Sequence, residues 1–154
     1  MNISILRHLL PMLFLTLVFP AFAGDEDLQK ALAAANAGHQ QEAIDILERL
    51  QTSDPNDERV LTSLGFLYKS TGRYDDARAV LEKAVGIKAT PEVLYELGLL
   101  YEGKSFHSTN AAQKEEYRTK ALETWNKYLT IAPSGDEHAA DAQRHIKKLS
   151  EQSK

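Results

Sequence analysis

The sequence predicts an all-α fold: a solenoid of three helix-turn-helix repeats that ends in a C-terminal capping helix. The first observation is that the pattern Leu-Gly-x-x-Tyr occurs twice, once from Leu64 and once from Leu97. The second is a recurring alanine that is followed four residues later by a large apolar residue, as in Ala77 and Leu81. No alternating apolar–polar run of strand type occurs after residue 23. Repetition at intervals of roughly 20–45 residues is typical of stacked structural repeats.

Residues 1–23 differ from the rest of the chain. They contain the basic residue Arg7 and no acid, then a mostly apolar run over residues 9–19, then the small residues of Ala-Phe-Ala at 21–23. This order is typical of a secretory signal peptide. We expect cleavage after Ala23, which leaves residues 24–154 as the mature domain. An uncleaved membrane anchor is the alternative, although the apolar run is shorter than the roughly 20 residues that span a bilayer.

The first two repeats are expected over residues 24–57 and 58–90. Their helices are predicted at 25–37 and 40–52 in the first repeat and at 57–70 and 73–86 in the second. Gly38 and Gly72 stand between the paired helices. Glycine adopts the left-handed conformation that closes a helix, so each glycine predicts a tight reversal of the chain.

Small residues are predicted to lie where paired helices approach most closely. We expect Gly65 to face Ala77 and Ala31 to face Ala43, because a larger side chain would separate the two helices. Gly98 and Ala121 are the matching residues of the third repeat. A glycine inside a helix costs about 1 kcal/mol relative to alanine, and burial of the surrounding leucine and tyrosine side chains outweighs that cost.

The third repeat, residues 91–134, is expected to be longer, because an insertion separates Gly98 from Ala121 more widely than Gly65 from Ala77. Thr90 and Pro91 have the residue types of an N-cap and a first helical position, which predicts a helix over 91–103. Asn110, followed three residues later by Gln113, predicts the start of a long helix over 110–131. The insertion should therefore lengthen this helix pair.

The last helix is predicted over residues 135–150 as a cap on the open end of the solenoid. Ser134 and Glu137 form a capping-box pattern at its start. Its outer face is charged and its inner face is apolar, as a terminal capping element requires.

Composition excludes several classes of function. The formal net charge is −4, and it becomes one unit more negative if Arg7 leaves with the leader, which argues against nucleic acid or an anionic membrane surface as the main partner. There is no cysteine, so an exported form has no disulfides. We expect no cofactor and no catalytic site, because no nucleophile elbow or phosphate-binding loop is present.

A metal site is also not expected. His138, Asp141 and His145 share one helical face, but the two histidines are seven residues apart, or about 10.5 Å along a helix axis. This separation is too large for one zinc ion. We interpret these three residues as a solvated stripe.

The repeated pattern resembles that of tetratricopeptide repeat (TPR) proteins, Trp-x2-Leu-Gly-x2-Tyr, then Ala-x3-Phe, then Pro. The second copy is Leu61-x2-Leu64-Gly65-x2-Tyr68 with Ala77-x3-Leu81, and the third is Leu94-x2-Leu97-Gly98-x2-Tyr101 with Ala121-x3-Trp125 and Pro133. The C-terminal part of the chain is similar to repeats of exported bacterial members. The resemblance implies a right-handed superhelix and a non-enzymatic scaffold that binds other proteins.

In this family the first helix of each pair lines a concave groove, and the resemblance implies which residues face it here. They are Leu28, Leu32, Arg59, Thr62, Phe66, Lys69, Tyr95, Leu99 and Glu102. An apolar line from Leu32 through Phe66 to Leu99, with Arg59 and Lys69 beside it, would accept a peptide or helix of a partner protein. The expected role is an adaptor in the bacterial cell envelope, in the periplasm or secreted. The alternative is a structural protein that associates with its own copies and has no peptide-binding groove.

Overall fold

The computed structural model describes residues 21–151, with side chains from residue 24 onward. The regular structure of these residues is α-helical throughout, which confirms the predicted all-α class. Seven helices follow one another in the described part of the chain: α1 (Ala21–Asn36), α2 (Gln40–Ser53), α3 (Glu58–Ser70), α4 (Tyr74–Ile87), α5 (Pro91–His107), α6 (Ala111–Ile131) and α7 (Ala139–Glu151). The proposed leader, residues 1–23, lies outside the residues whose side chains are described.

The helices pack as three consecutive pairs and a final single helix. Contact is most extensive within the pairs α1–α2, α3–α4 and α5–α6. Smaller interfaces join α2 to α3, α4 to α5 and α6 to α7, so each pair touches its neighbours in chain order. This arrangement is the stacking of a helical solenoid. None of the described helices is long and apolar enough to cross a bilayer.

Two glycines close the first helix of the first two pairs. Gly38 has φ of +84° and Gly72 has φ of +80°. In each turn the residue after the glycine donates its backbone N–H back to the preceding helix, from His39 to Ala34 at 2.9 Å and from Arg73 to Tyr68 at 2.8 Å. These bonds satisfy carbonyls at the helix end. The glycine requirement predicted at both positions is confirmed.

At each of the two mid-helix glycines, the missing Cβ leaves room for a large side chain of the paired helix. A Cβ atom at Gly65 would lie 2.4 Å from Cδ2 and Cγ of Leu81, and one at Gly98 would lie 2.7 Å from the ring of Trp125. These partners are one helical turn beyond the predicted alanines. Ala77 is fully buried, but the space left by the missing Cβ is filled by the bulkier neighbour.

The small residues of the other repeats are also completely buried. Ala31 and Ala43 in the first pair and Ala121 in the third have no exposed surface. They belong to one continuous core with the large side chains of every helix. Its largest fully buried members are Trp125, Tyr128, Ile44, Leu47, Leu61, Leu64, Leu81, Leu94 and Leu149.

The insertion of the third repeat extends both of its helices. The Thr90 side chain accepts a hydrogen bond from the backbone of Val93 at the start of α5, and Asn110 accepts one from Gln113 at the start of α6, so both predicted caps are confirmed. α5 continues to His107, four residues beyond its predicted end. Ser105 in this extension is buried and donates its hydroxyl to the backbone of α6.

The start of α7 differs from the prediction. The helix begins at Ala139, and the capping box of Ser134 and Glu137 does not open it. Gly135 turns the chain with φ of +82°. Asp136 then accepts hydrogen bonds from the backbone N–H of His138 and from the Tyr128 hydroxyl. The glycine and the aspartate therefore hold residues 135–138 in a turn that precedes the helix.

Candidate partner-binding groove

An open groove of about 530 Å³ lies between α1, α3, the first half of α5 and the turn before α7. We call it the Phe66 groove. Its apolar side is formed by Leu32, which is 37% exposed, and by Phe66, which is 48% exposed. Thr62 and Tyr95 line its floor. Four of the residues that the sequence placed in a groove are therefore together in this one.

Leu28 does not line the groove. It lies one helical turn before Leu32 on α1 and is only 5% exposed, as part of the hydrophobic core. The sequence placed both leucines on one face of α1, but that face meets the neighbouring helices at Leu28 and solvent at Leu32. Leu28 is therefore a core residue, and the prediction that it contacts a partner was wrong.

Leu99 lies in a separate cavity, so the predicted apolar line is interrupted. This second cavity, also of about 530 Å³, is lined by Lys69, Tyr74, Leu99, Lys104 and Tyr117 among others, and we call it the Tyr74 cavity. Glu96 lines the Phe66 groove and accepts a hydrogen bond from Lys69 at 2.5 Å. This mostly buried ion pair lies between the two cavities, because Lys69 lines one of them and Glu96 lines the other.

The expected basic edge is neutralised. Lys69 is paired with Glu96, and Arg59 is paired with Asp25 at 2.9 Å and with Asp57 at 2.8 Å. The hydrogen bond from the Arg59 side chain is the main reason that the pKa of Asp57 lies below its usual range. The carboxylates in turn raise the pKa of Arg59. Neither cation lines the Phe66 groove.

Glu102 is buried beneath α7 and is not available to a partner. It is 5% exposed, with Oε2 at 2.5 Å from Nδ1 of His145 and Oε1 at 3.2 Å from Nζ of Lys148. The prediction placed it in the groove because it follows Leu99 on the same side of α5. The capping helix covers this end of α5, which corrects that prediction.

A layer of aromatic and imidazole rings, which the sequence pattern did not predict, lies behind the groove. Tyr95 packs on the ring of His138 at 4.6 Å and edge-on against Trp125 at 5.4 Å. His145 stacks on the other part of this layer, with its ring 4.7 Å from that of Trp125 and nearly parallel to it. The two histidines are half-buried, so the predicted solvated stripe is corrected.

The sequence contained a partial signal for this layer. His138, just before the amphipathic last helix, precedes the buried Ala142 by four residues, and His145 within the helix precedes the buried Leu149 by four. That spacing places the histidines at the edge of the apolar face, where a ring can be half-covered. Which residues they meet on α5 and α6 depends on the packing angle of α7, which the local sequence does not specify.

The charged residues of the Phe66 groove are acidic. Glu92, Glu96, Asp136 and Glu137 line it, and no lysine or arginine does so among the described side chains. The hydrogen bond from the Tyr128 hydroxyl lowers the pKa of Asp136, so this carboxylate keeps its charge well below neutral pH. The groove thus combines an apolar side with a negatively charged edge.

In the described part of the chain, no group of three or more histidine, aspartate or glutamate residues is placed to hold a metal ion. Two tyrosine–glutamate pairs lie between helices. The Tyr68 hydroxyl donates to the Glu48 carboxylate, and the Tyr101 hydroxyl donates to the Glu82 carboxylate.

Three stacked helical hairpins, glycine-closed turns and a groove on the first helices define a protein of the α-helical hairpin-repeat class. The family model described as "Psidin, N-terminal TPR repeats region" matches residues 26–99. This match and the fold support a tetratricopeptide repeat protein. No curated protein matches the sequence significantly.

Solved structures of TPR type have the same fold. The Yersinia enterocolitica type III secretion chaperone SycD, in complex with a peptide of the translocator YopD, is 12% identical with a TM-score of 0.72, covering 86% of this chain and 96% of that chain. An alternative dimer of SycD gives 16% identity, a TM-score of 0.68 and the same coverage. The Sgt2 TPR domain from Aspergillus fumigatus gives 17% identity and a TM-score of 0.67, covering 84% of this chain and 78% of that domain.

Proposed function

We propose that the protein is a non-enzymatic scaffold that binds a segment of another protein in the Phe66 groove. The observation that carries the proposal is the exposure of two large apolar side chains, Leu32 and Phe66, side by side in a concave site. Exposed apolar surface of this kind is typical of a site that a partner covers. The structure of SycD with a YopD peptide supports the proposal by analogy of fold.

The groove has the dimensions of a recognition site for a short segment. Its volume of about 530 Å³ accommodates a few side chains. Burial of one large apolar side chain is worth about 1.5–3 kcal/mol. Contacts of a segment with both Leu32 and Phe66 would therefore contribute a substantial part of a micromolar binding free energy.

We further propose that the protein is exported and acts in the bacterial cell envelope or outside the cell. The supporting observation is the order of basic, apolar and small residues over 1–23, which precedes the first core residue, Leu28. Cleavage after Ala23 would remove only the first three residues of α1. Mass spectrometry of protein recovered from cells should then show Gly24 as the first residue, and an intact N-terminus would contradict this proposal.

Site-specific photocrosslinking tests the binding site in cells. A photoreactive phenylalanine analogue is placed at position 66 or, as a matched control, at position 74, because Tyr74 is equally aromatic and 52% exposed but lines the other cavity. We expect position 66 to form a product with a different protein, and Leu32→Glu to abolish that product. Products at position 74 alone would contradict the proposed site.

The same experiment distinguishes the alternative function. A self-associating structural protein would give crosslinks at position 66 whose mass equals two copies of the chain. Light scattering after size-exclusion chromatography would then show an oligomer that Phe66→Glu converts to monomer. We expect instead a purified monomer whose mass is the same with and without Phe66→Glu.

A further inference from the structure

The charges at the Phe66 groove specify the chemistry of the segment that it binds. Of the four acids that line it, Glu96 is neutralised by Lys69, which leaves Glu92, Asp136 and Glu137. None of these three has a lysine or arginine partner among the described residues. Asp136 keeps its charge because it accepts the Tyr128 hydroxyl, and Glu137 is 86% exposed and lies 3.5 Å from Nε2 of His138.

The neighbouring cations cannot offset this negative charge. Arg59 is paired with two carboxylates, Asp25 and Asp57, and the second also accepts the backbone N–H at the start of α3. Lys69 is only 22% exposed and is paired with Glu96. Both basic residues that the sequence placed beside the groove are therefore engaged within the protein.

The acidic and apolar groups occupy different elements around the groove. The unneutralised acids lie on the first turn of α5 and in the turn before α7, whereas Leu32 and Phe66 lie on α1 and α3. A bound segment would thus meet apolar surface along one side and carboxylates along the other. A negative potential at a concave site attracts and orients positively charged ligands.

We propose that the occupant is a basic amphipathic segment of a partner protein. One or two aromatic or leucine side chains of the segment pack on Leu32 and Phe66, and its lysine or arginine side chains pair with Glu92 and Glu137. This inference rests on the proposed function and adds the charge and pattern of the ligand. Acidic or uncharged segments would leave the carboxylates facing apolar or like-charged groups, at a cost in binding free energy.

Selection from a random peptide display library on the purified protein tests this inference. Peptides that bind the wild type but not Phe66→Glu define the groove-dependent set. We expect this set to be enriched in lysine and arginine together with leucine and aromatic residues, with a mean net charge of at least +2. Binding of its synthesised members should weaken about tenfold between roughly 50 and 300 mM salt, since screening acts on exposed charge pairs.

Reversing the charges of Glu92 and Glu137 tests whether these carboxylates bind the peptides. Glu92→Lys combined with Glu137→Lys should weaken the selected peptides about tenfold or more. The matched control, Glu42→Lys with Glu151→Lys, makes the same change of charge at exposed positions outside the Phe66 groove and the Tyr74 cavity and should stay within twofold. Unchanged melting temperatures show that both double variants remain folded.

The outcomes separate this inference from the proposed function. Phe66-dependent peptides that are neutral or acidic, or that bind the Glu92/Glu137 variant as tightly as the control variant, would overturn the basic ligand and leave the groove in place. No Phe66-dependent peptide at all would overturn the proposed function as well. Phe66-dependent pairing of two copies of the chain would also overturn both.

Discussion

Helices α3 and α5 occupy the same place in successive repeats, but the apolar residue that follows the repeated glycine is exposed only in α3. Phe66 follows Gly65 as Leu99 follows Gly98 in the next repeat. Phe66 is 48% exposed, whereas Leu99 is half-buried against the core. The glycines occupy the same position in both repeats, while the residues after them differ in exposure.

α3 and α5 make equivalent hydrogen bonds to the helices that precede them. The Tyr68 hydroxyl donates to Glu48 on α2, and the Tyr101 hydroxyl donates to Glu82 on α4, both at 2.7 Å. Each tyrosine of the Leu-Gly-x-x-Tyr pattern thus ties its helix to the second helix of the preceding pair. The first repeat has Ala34 at the matching position and lacks this bond.

The helices differ in what covers them. Lys69 on α3 and Glu102 on α5 occupy equivalent positions of the two repeats, and each bonds to a helix that follows its own pair. Lys69 pairs with Glu96 on α5, but Glu102 pairs with His145 and Lys148 on the capping helix. The cap therefore covers Glu102 near the end of α5, and the proposed binding site lies on α1, α3 and the start of α5.

The largest effect on stability is expected for a substitution at Gly98 in α5. Gly98→Ala places a Cβ 2.7 Å from the rigid ring of Trp125, so the unfolding free energy should fall by about 2–3 kcal/mol. Gly65→Ala should cost less, about 1–2 kcal/mol, because Leu81 can change rotamer. Gly103→Ala on the same helix meets no atom within 4 Å and should be neutral or stabilising. Urea unfolding measures all three, and equal stability of the variants at 98 and 103 would contradict the packing.

The next effect concerns the cap. Glu102→Ala leaves the His145 and Lys148 side chains without their buried carboxylate and should destabilise α7 by about 2 kcal/mol. Lys69→Ala should cost about 1 kcal/mol, because its pair with Glu96 is nearer to solvent. Amide hydrogen exchange of α7 measures the first effect. Unchanged protection of α7 in Glu102→Ala would refute the role of this carboxylate.

A matched pair of glutamate substitutions tests the difference in exposure between the two helices. Leu99→Glu should lower the unfolding free energy by about 1–2 kcal/mol, because it places a charge against the core. Phe66→Glu should change it by less than about 0.5 kcal/mol, since surface substitutions have small effects. Chemical unfolding of both variants measures the difference, and a larger loss in Phe66→Glu would show that Phe66 belongs to the core.

The smallest effect is a dependence of stability on alkaline pH. Burial, together with the bond to Glu48, raises the pKa of Tyr68 to about 12. The folded state therefore favours the protonated phenol, and this stabilisation is complete below the unfolded pKa of about 10 and is lost as pH rises toward 12. The loss should be of the order of 1 kcal/mol, allowing for solvent screening. Tyr68→Phe should reduce the slope of unfolding free energy against pH between 10 and 12, and an unchanged slope would contradict this coupling.

Most of the fold was predictable because the repeat has strict local requirements. Glycine at 38 and 72 is needed for left-handed turns, and glycine at 65 and 98 is needed for helix packing, so four residues set the register of the helices. The start of α7 was mispredicted because Gly135 and Asp136 form a turn that competes with the capping box.

The candidate site was only partly predictable. The resemblance to TPR proteins implied that Leu32, Thr62, Phe66 and Tyr95 lie on inner faces, and the structure brings them into one groove. The pairing of Lys69 with a carboxylate 27 residues away is a tertiary contact that no local pattern encodes. Burial of Glu102 likewise depends on where α7 packs, so the anionic character of the groove emerged only from the structure.

Hydrogen exchange of the protein with a Phe66-dependent peptide tests partner binding most directly. Because the peptide should cover the apolar and acidic sides together, we predict slower exchange of backbone amides near Leu32, over residues 62–67 and over residues 92–96. Exchange near Tyr74, Lys104 and Tyr117 should not change. Protection confined to those last three residues would place the partner in the Tyr74 cavity and contradict the proposed site.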